Sequence, residues 1–243
     1  MNTPPFTPSF KQAFSLVELS IVLVILGLLT GGILMGQSLI RGAELRSLSA
    51  DLQRYNAAIM TFRDKYFSLP GDMPNAYAFW GVAVGCTNDD TNITATGCNG
   101  NGDGNVTSVN DQESARFWQH LALAGLIEGT YTGIWGTSPV GPKLKVGQGE
   151  TVAAKSWYYR TNHGWVSANG ATGDFGLELY VNAGLNVEEL WNIDKKMDDS
   201  KAAQGKIYAH ATSPAGCVTG TSIETDDYNL GTENKCSALF RVQ

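Results

Sequence analysis

Residues 19–40 form a run of 22 residues without a charge, and beyond it apolar positions recur every three or four residues, at Leu45, Leu48, Leu52, Tyr55, Ile59, Phe62 and Tyr66. The first run is long enough to cross a bilayer as one helix. The second is the apolar stripe of an amphipathic helix that continues from it. The stretch SLPGDMP, residues 68–74, is expected to end that helix. Pro70 disfavours helical backbone at Leu69, and Gly71 and Pro74 reinforce a turn. A stripe this short, without regular flanking charges, suits a helix packed on a head better than a heptad coiled coil.

After residue 70 the pattern breaks into shorter pieces. NDQESARFWQHLALAGLIEG predicts a helix opening at Asn110, with Glu113 at capping-box spacing and an end at Gly125 or Gly129. Phe117, Trp118, Leu121 and Ala124 are its expected core face. NVEELWNIDKKMDD predicts a second helix, with Asn186 and Glu189 in the same relation. SWYYRTN, GWVSANG, FGLELYV, GKIYAHA and CSALFRV carry the aromatic and β-branched residues of strands, separated by Gly and Asn turns. Local strands with short turns predict an antiparallel sheet. The fold class expected is therefore α+β, a long N-terminal helix on an antiparallel sheet head with short extra helices.

Charge divides the chain along the same line. Residues 41–69 carry five basic and three acidic residues, whereas residues 70–243 carry eleven basic and nineteen acidic ones. An acidic body argues against nucleic acid as a partner, since phosphate-backbone binding needs a basic face. Four cysteines, Cys86, Cys98, Cys217 and Cys236, form two sequence-local pairs. Three connectivities are open. Ready closure of short loops favours Cys86 with Cys98 and Cys217 with Cys236. Neither CxxC spacing nor a nearby histidine supports zinc. Disulfides place the body in an oxidising compartment.

Glu18 stands near the start of the apolar run, where an ionised carboxylate costs several kcal/mol by insertion scales. A cleavable secretory signal has a shorter apolar core, and an ordinary signal anchor leaves the glutamate unexplained. Lys11, Gln12, Ala13, Phe14, Ser15, Leu16, Val17 and Glu18, followed by the long apolar helix, resemble the processing motif of type IV prepilins and pseudopilins. The resemblance implies a leader of residues 1–13, cleavage between Ala13 and Phe14 by a prepilin peptidase, and N-methylation of the new Phe14 amine. It also implies a transmembrane half-helix over 14–40, an amphipathic half over 41–69, and a pilin-like head over 70–243. Ala13 stands where the family has glycine, and Met35 where many members have proline. In a bundle of such helices the Glu18 carboxylate of one subunit can pair with the Phe14 amine of its neighbour, which favours assembly and sets axial register.

The head shows no catalytic signature. GxSxG, HExxH, a Walker-type loop and GxGxxG after a strand are all missing from the sequence. Asp194, Asp198 and Asp199 read as turn residues at a helix end, the tryptophans as core, and His120 as structural or exposed. CNGNGDGNV places Asn99, Asn101, Asp103 and Asn105 in the alternation of the first half of an EF-hand loop, although the twelfth position is Asn110 and not a bidentate glutamate. A weak Ca²⁺ site here, with ligands borrowed from Asp89, Asp90 or Asp111, is weighed against a turn using left-handed backbone states. No cofactor is required. The expected function is that of a structural subunit of a type IV pilus-like filament, held in the inner membrane with its head in the periplasm before assembly into a pilus or secretion pseudopilus with other pilin-like subunits. The alternative is a monomeric surface-binding module on an unprocessed signal anchor.

Overall fold

The computed structural model describes residues 15–84, 98–106, 113–134, 139–143, 153–156, 177–202, 204–209, 216–219, 227–232 and 234–242. Helix α1 spans Leu16–Tyr66. The chain divides into two units, Met1–Ala43 and Glu44–Gln243.

In the first unit, every Leu, Ile, Val and Met of α1 from Leu16 to Ile40 is between 50% and 87% exposed. This part is long and apolar enough to cross a membrane. Its 22 uncharged residues rise ~33 Å at about 1.5 Å each, close to the thickness of a bilayer core.

In the second unit α1 changes character. Leu48, Leu52, Tyr55, Ala58, Ile59 and Phe62 are buried, with Leu45 and Tyr66 packed partly against the same core. That is the stripe expected from the spacing, with Ala58 added. The helix ends at Tyr66, and Phe67 takes a left-handed backbone (φ 54°) just before the SLPGDMP turn. Helix α2, Ala76–Val84, follows directly, and helix α3, Glu113–Leu123, lies across from α1. Trp118 stands edge-on to both Tyr55 and Phe117, with centroids 5.1 and 5.0 Å away. Each fully buried aromatic of this kind contributes about 1.5–3 kcal/mol through area burial. Gly125 in the left-handed region (φ 72°) terminates α3, as its position in the sequence suggested. Phe117, Trp118 and Leu121 are buried as expected, and Ala124 partly so.

The four strands are β1 (Ala153–Ser156), β2 (Leu177–Asn186), β3 (Ile207–Ala209) and β4 (Lys235–Arg241). They form one antiparallel sheet in the order β1-β2-β4-β3. Leu179 pairs with Phe240, Val181 with Ala238 and Leu185 with Cys236, with a register shift between Val181 and Leu185. Helix α4, Val187–Met197, leaves β2 without a loop and packs on β2 and β4. Its capping box is complete: Asn186 Oδ1 accepts the Glu189 N–H at 2.8 Å and Glu189 Oε2 accepts the Asn186 N–H at 2.9 Å. The strands expected in SWYYRTN and GWVSANG lie outside the described residues apart from Ser156. β1 instead ends on that residue.

Candidate functional site

Among the described residues, three regions set polar groups in apolar surroundings. The first is the start of α1. Glu18 lies in its first turn, exposed, and Glu18 Oε2 accepts the Ser15 N–H at 3.2 Å. A carboxylate here faces the free N–H groups of a helix start, which favour negative charge. Ala13 and Phe14 lie outside the described residues.

The second is a buried polar junction in the head, where three segments distant in sequence meet. Asp72, in the turn after α1, is 3% exposed. Its Oδ1 accepts the N–H groups of Gly102 and Asp103 at 2.7 and 3.1 Å, and its Oδ2 accepts the Gly104 N–H at 2.9 Å. Burial pushes the Asp72 carboxyl upward while these N–H groups pull it back. Gly102 and Gly104 supply the left-handed turns (φ 74° and 87°) that aim consecutive N–H groups at one carboxylate. From the other side Glu113 Oε1 accepts the Asn101 N–H at 3.1 Å, and Arg116 donates to the Asn99 carbonyl. Asn99 Oδ1 receives the Tyr77 N–H at 2.8 Å, which fastens α2 to the same loop.

His120 closes the junction and is completely buried. Its Nδ1 accepts the Gly71 N–H at 2.9 Å, so the proton sits on Nε2, 2.9 Å from the Cys98 carbonyl that accepts it. The ring stacks on Phe62 with centroids 6.2 Å apart. Burial holds its pKa down to about 4, so the imidazole is neutral at physiological pH. Cys98 is itself buried and disulfide-bonded; Cys86, the partner expected for it, lies outside the described residues.

Backbone meets backbone here without side chains between. A Cβ on Gly100 would stand 2.3 Å from the Gly71 carbonyl oxygen and 2.4 Å from Asp72 Cα, neither of which is a flexible side-chain tip. Gly100→Ala is therefore expected to destabilise the head at the upper end of the ~1–3 kcal/mol overpacking range. Gly104→Ala, with open space around the added methyl, should cost only the ~1–2 kcal/mol of a left-handed alanine. Denaturant unfolding followed by tryptophan fluorescence compares the two; equal effects would contradict the close backbone packing.

The calcium expectation meets this geometry directly. Asn101 and Asp103 do come together, at 3.2 Å, but Asn101 Oδ1 accepts the Asp103 N–H, Asp103 Oδ1 the Asn105 N–H, and Asn99 Oδ1 the Tyr77 N–H. The buried Asp72 carboxylate is ringed by N–H donors, and a guanidinium already bonds the Asn99 carbonyl. Among the described residues this set fits an Asn/Gly turn wrapped on Asp72; Asp89, Asp90 and Asp111, the ligands a calcium site would borrow, lie outside them. Millimolar Ca²⁺ should leave the melting temperature of the chain unchanged. An increase that disappears in Asp103→Ala would establish the calcium reading.

Asp194, Asp198 and Asp199 are brought within reach of one another at the end of α4. Asp194 is fully buried: its Oδ2 accepts the Tyr228 hydroxyl at 2.7 Å and its Oδ1 the Ser200 N–H at 3.2 Å. Burial raises its pKa to about 6 and pushes the Tyr228 phenol up as well. Asp198 Oδ2 accepts the N–H groups of Lys206 and Ile207, and Asp199 Oδ1 that of Lys201. The three carboxylates thus fold the connection from α4 to β3, and through Tyr228 they tie α4 to the loop closed by the Cys217–Cys236 disulfide (Cα–Cα 5.8 Å). Compared with protein-family models, with curated proteins and with solved structures, the chain matches none.

Proposed function

We propose that the chain is a structural subunit of a type IV pilus-like filament, cut before Phe14 by a prepilin peptidase and assembled through α1, with residues 70–243 as a pilin-like head. The observation that carries this reading is the first unit of α1. Sixteen large apolar side chains there are at least half exposed, and Glu18 is the lone charge among residues 15–40. A membrane satisfies the apolar surface, but the carboxylate needs a cation. In the prepilin reading that cation is the methylated Phe14 amine of a neighbouring copy. An unprocessed, monomeric anchor leaves Glu18 with the N–H groups of the helix start and no counter-ion. The second half of α1 is sunk into the head core. A mechanical role for the head is supported by four buried polar groups, Asp72, Glu113, His120 and Asp194, which are spent on hydrogen bonds between segments.

Shearing cells that express the full chain tests the filament reading. The subunit should appear in the sheared or pelleted filament fraction as well as in the inner membrane. A chain confined to the membrane under conditions where assembly machinery is present would contradict it.

A further inference from the structure

Between α1, α4 and the open end of the sheet lies a cleft of about 310 Å³. Its floor is apolar, made by Leu52, Leu179, Ile207 and Phe240, each no more than 5% exposed. Its rim carries three cations, Lys196, Lys206 and Arg241. Both lysines are exposed, and among the described residues neither ammonium is in an ion pair. The Arg241 guanidinium lies over the Tyr208 ring, 5.0 Å from its centroid. Asp198, two residues beyond Lys196, accepts the backbone N–H groups of Lys206 and Ile207, and Asp199 that of Lys201. A concentrated basic rim is out of keeping with a body of nineteen acidic and eleven basic residues.

The complementary feature is on the same chain. The loop between Cys217 and Cys236 holds four carboxylates, Glu224, Asp226, Asp227 and Glu233, against one lysine. Its base is fixed by the disulfide, by the Val218–Tyr228 bridge and by the Thr219 N–H to Asp227 carbonyl bond. Cys236 and Arg241 stand five residues apart on β4, roughly 17 Å along an extended strand. The base of the acidic loop and the basic cleft therefore occupy different places on one head.

We propose that the Lys196/Lys206/Arg241 cleft receives the acidic Cys217–Cys236 loop of a second copy of the chain. Two unlike patches on one subunit make a heterologous contact, which does not close as a two-fold dimer and propagates into an open helical assembly when its rotation closes no ring. The apolar floor excludes water beneath the charges, and the charge pairs select partner and register. This inference rests on the filament reading and names the head-to-head contact within it.

The experiment compares the full chain with Lys196→Glu/Lys206→Glu, with Glu224→Lys/Asp226→Lys, and with all four substitutions combined, scoring subunit in the sheared fraction. Each charge-reversed pair should lower that fraction at least about ten-fold, and the fourfold variant should recover to within about three-fold of the natural chain. Carbodiimide treatment of filaments grown from a mixture of ¹⁴N- and ¹⁵N-labelled chains reads the contact without any substitution. Mixed-isotope peptides joining Lys196 or Lys206 to Glu224 or Asp226 are expected. Full assembly of the reversed-cleft variant, no recovery in the fourfold variant, or no such crosslink in assembled filaments would each overturn the contact and leave the filament reading standing. A natural chain that never enters the sheared fraction would overturn both.

Discussion

Glu18→Ala should insert into the membrane as well as the natural chain does, yet disappear from sheared filaments. Insertion cannot suffer, because removing an ionised carboxylate from an apolar helix relieves a cost of roughly 2.5–3.5 kcal/mol at the helix centre and less near its end. Assembly should suffer, because the neighbour's N-terminal amine then loses its counter-charge in the same apolar surroundings. Breaking a buried ion pair by deleting one partner costs about 3–5 kcal/mol per contact, which corresponds to a loss of more than a hundred-fold at each subunit addition. The hydrogen bond from the Ser15 N–H to Glu18 Oε2 is exposed and local, so its loss adds little. Equal amounts of Glu18→Ala and natural subunit in the sheared fraction would contradict the pairing.

The second large effect concerns His120 and pH. Its folded pKa of about 4 lies below the ordinary 6.5, so the unfolded chain binds the proton more readily. The contribution of this histidine is fully present above pH 6.5 and is lost as pH falls toward 4, by about 3 kcal/mol over that window. Asp194 acts in the opposite sense. Its folded pKa of about 6 lies above the ordinary 3.8, so its buried charge opposes folding at neutral pH and that penalty is relieved as pH falls through 6. The two terms nearly offset, and the natural chain should show a flat stability profile between pH 4 and 6.5 from these groups. The stability difference between the natural chain and His120→Gln isolates the histidine. It should shrink by about 3 kcal/mol from pH 7 to pH 4, measured by denaturant unfolding in detergent and followed by tryptophan fluorescence. All six tryptophans lie beyond residue 70, so the signal reports the head. A difference that does not change with pH would mean that His120 is not held neutral by its burial.

What could be read from the chain followed how local its causes are. The end of α1 was visible because Pro70 and Gly71 act on their immediate neighbours, and the start of α4 because Asn186 and Glu189 cap each other three residues apart. α2 was not visible: AYAFWGVAV is apolar on every side and carries no period that separates helix from buried strand. β1 was not visible either, since AAKS has no β-branched or aromatic residue, and its conformation comes from pairing with β2. The polar junction lay hidden for a stronger reason. SLPGDMP and CNGNGDGNV each read as a turn, and the contacts that join them, such as Gly71 to His120 across 49 residues, are wholly tertiary. The one hint was the spacing of Glu113, Arg116 and His120, which puts three polar side chains on one face of a helix that is otherwise core. The same loop leaves two readings open in the sequence, because alternating Asn and Asp side chains serve equally as ion ligands and as acceptors for turn N–H groups.

The mature N-terminus is the most direct test of the filament subunit reading. Intact-mass and N-terminal peptide mass spectrometry of the chain recovered from the inner membrane should find it beginning at Phe14 with a methylated amine and no trace of Ala13 in the assembled fraction. A chain that retains Met1 and residues 2–13 in every fraction would contradict the reading, because the amine required to partner Glu18 would then never be created.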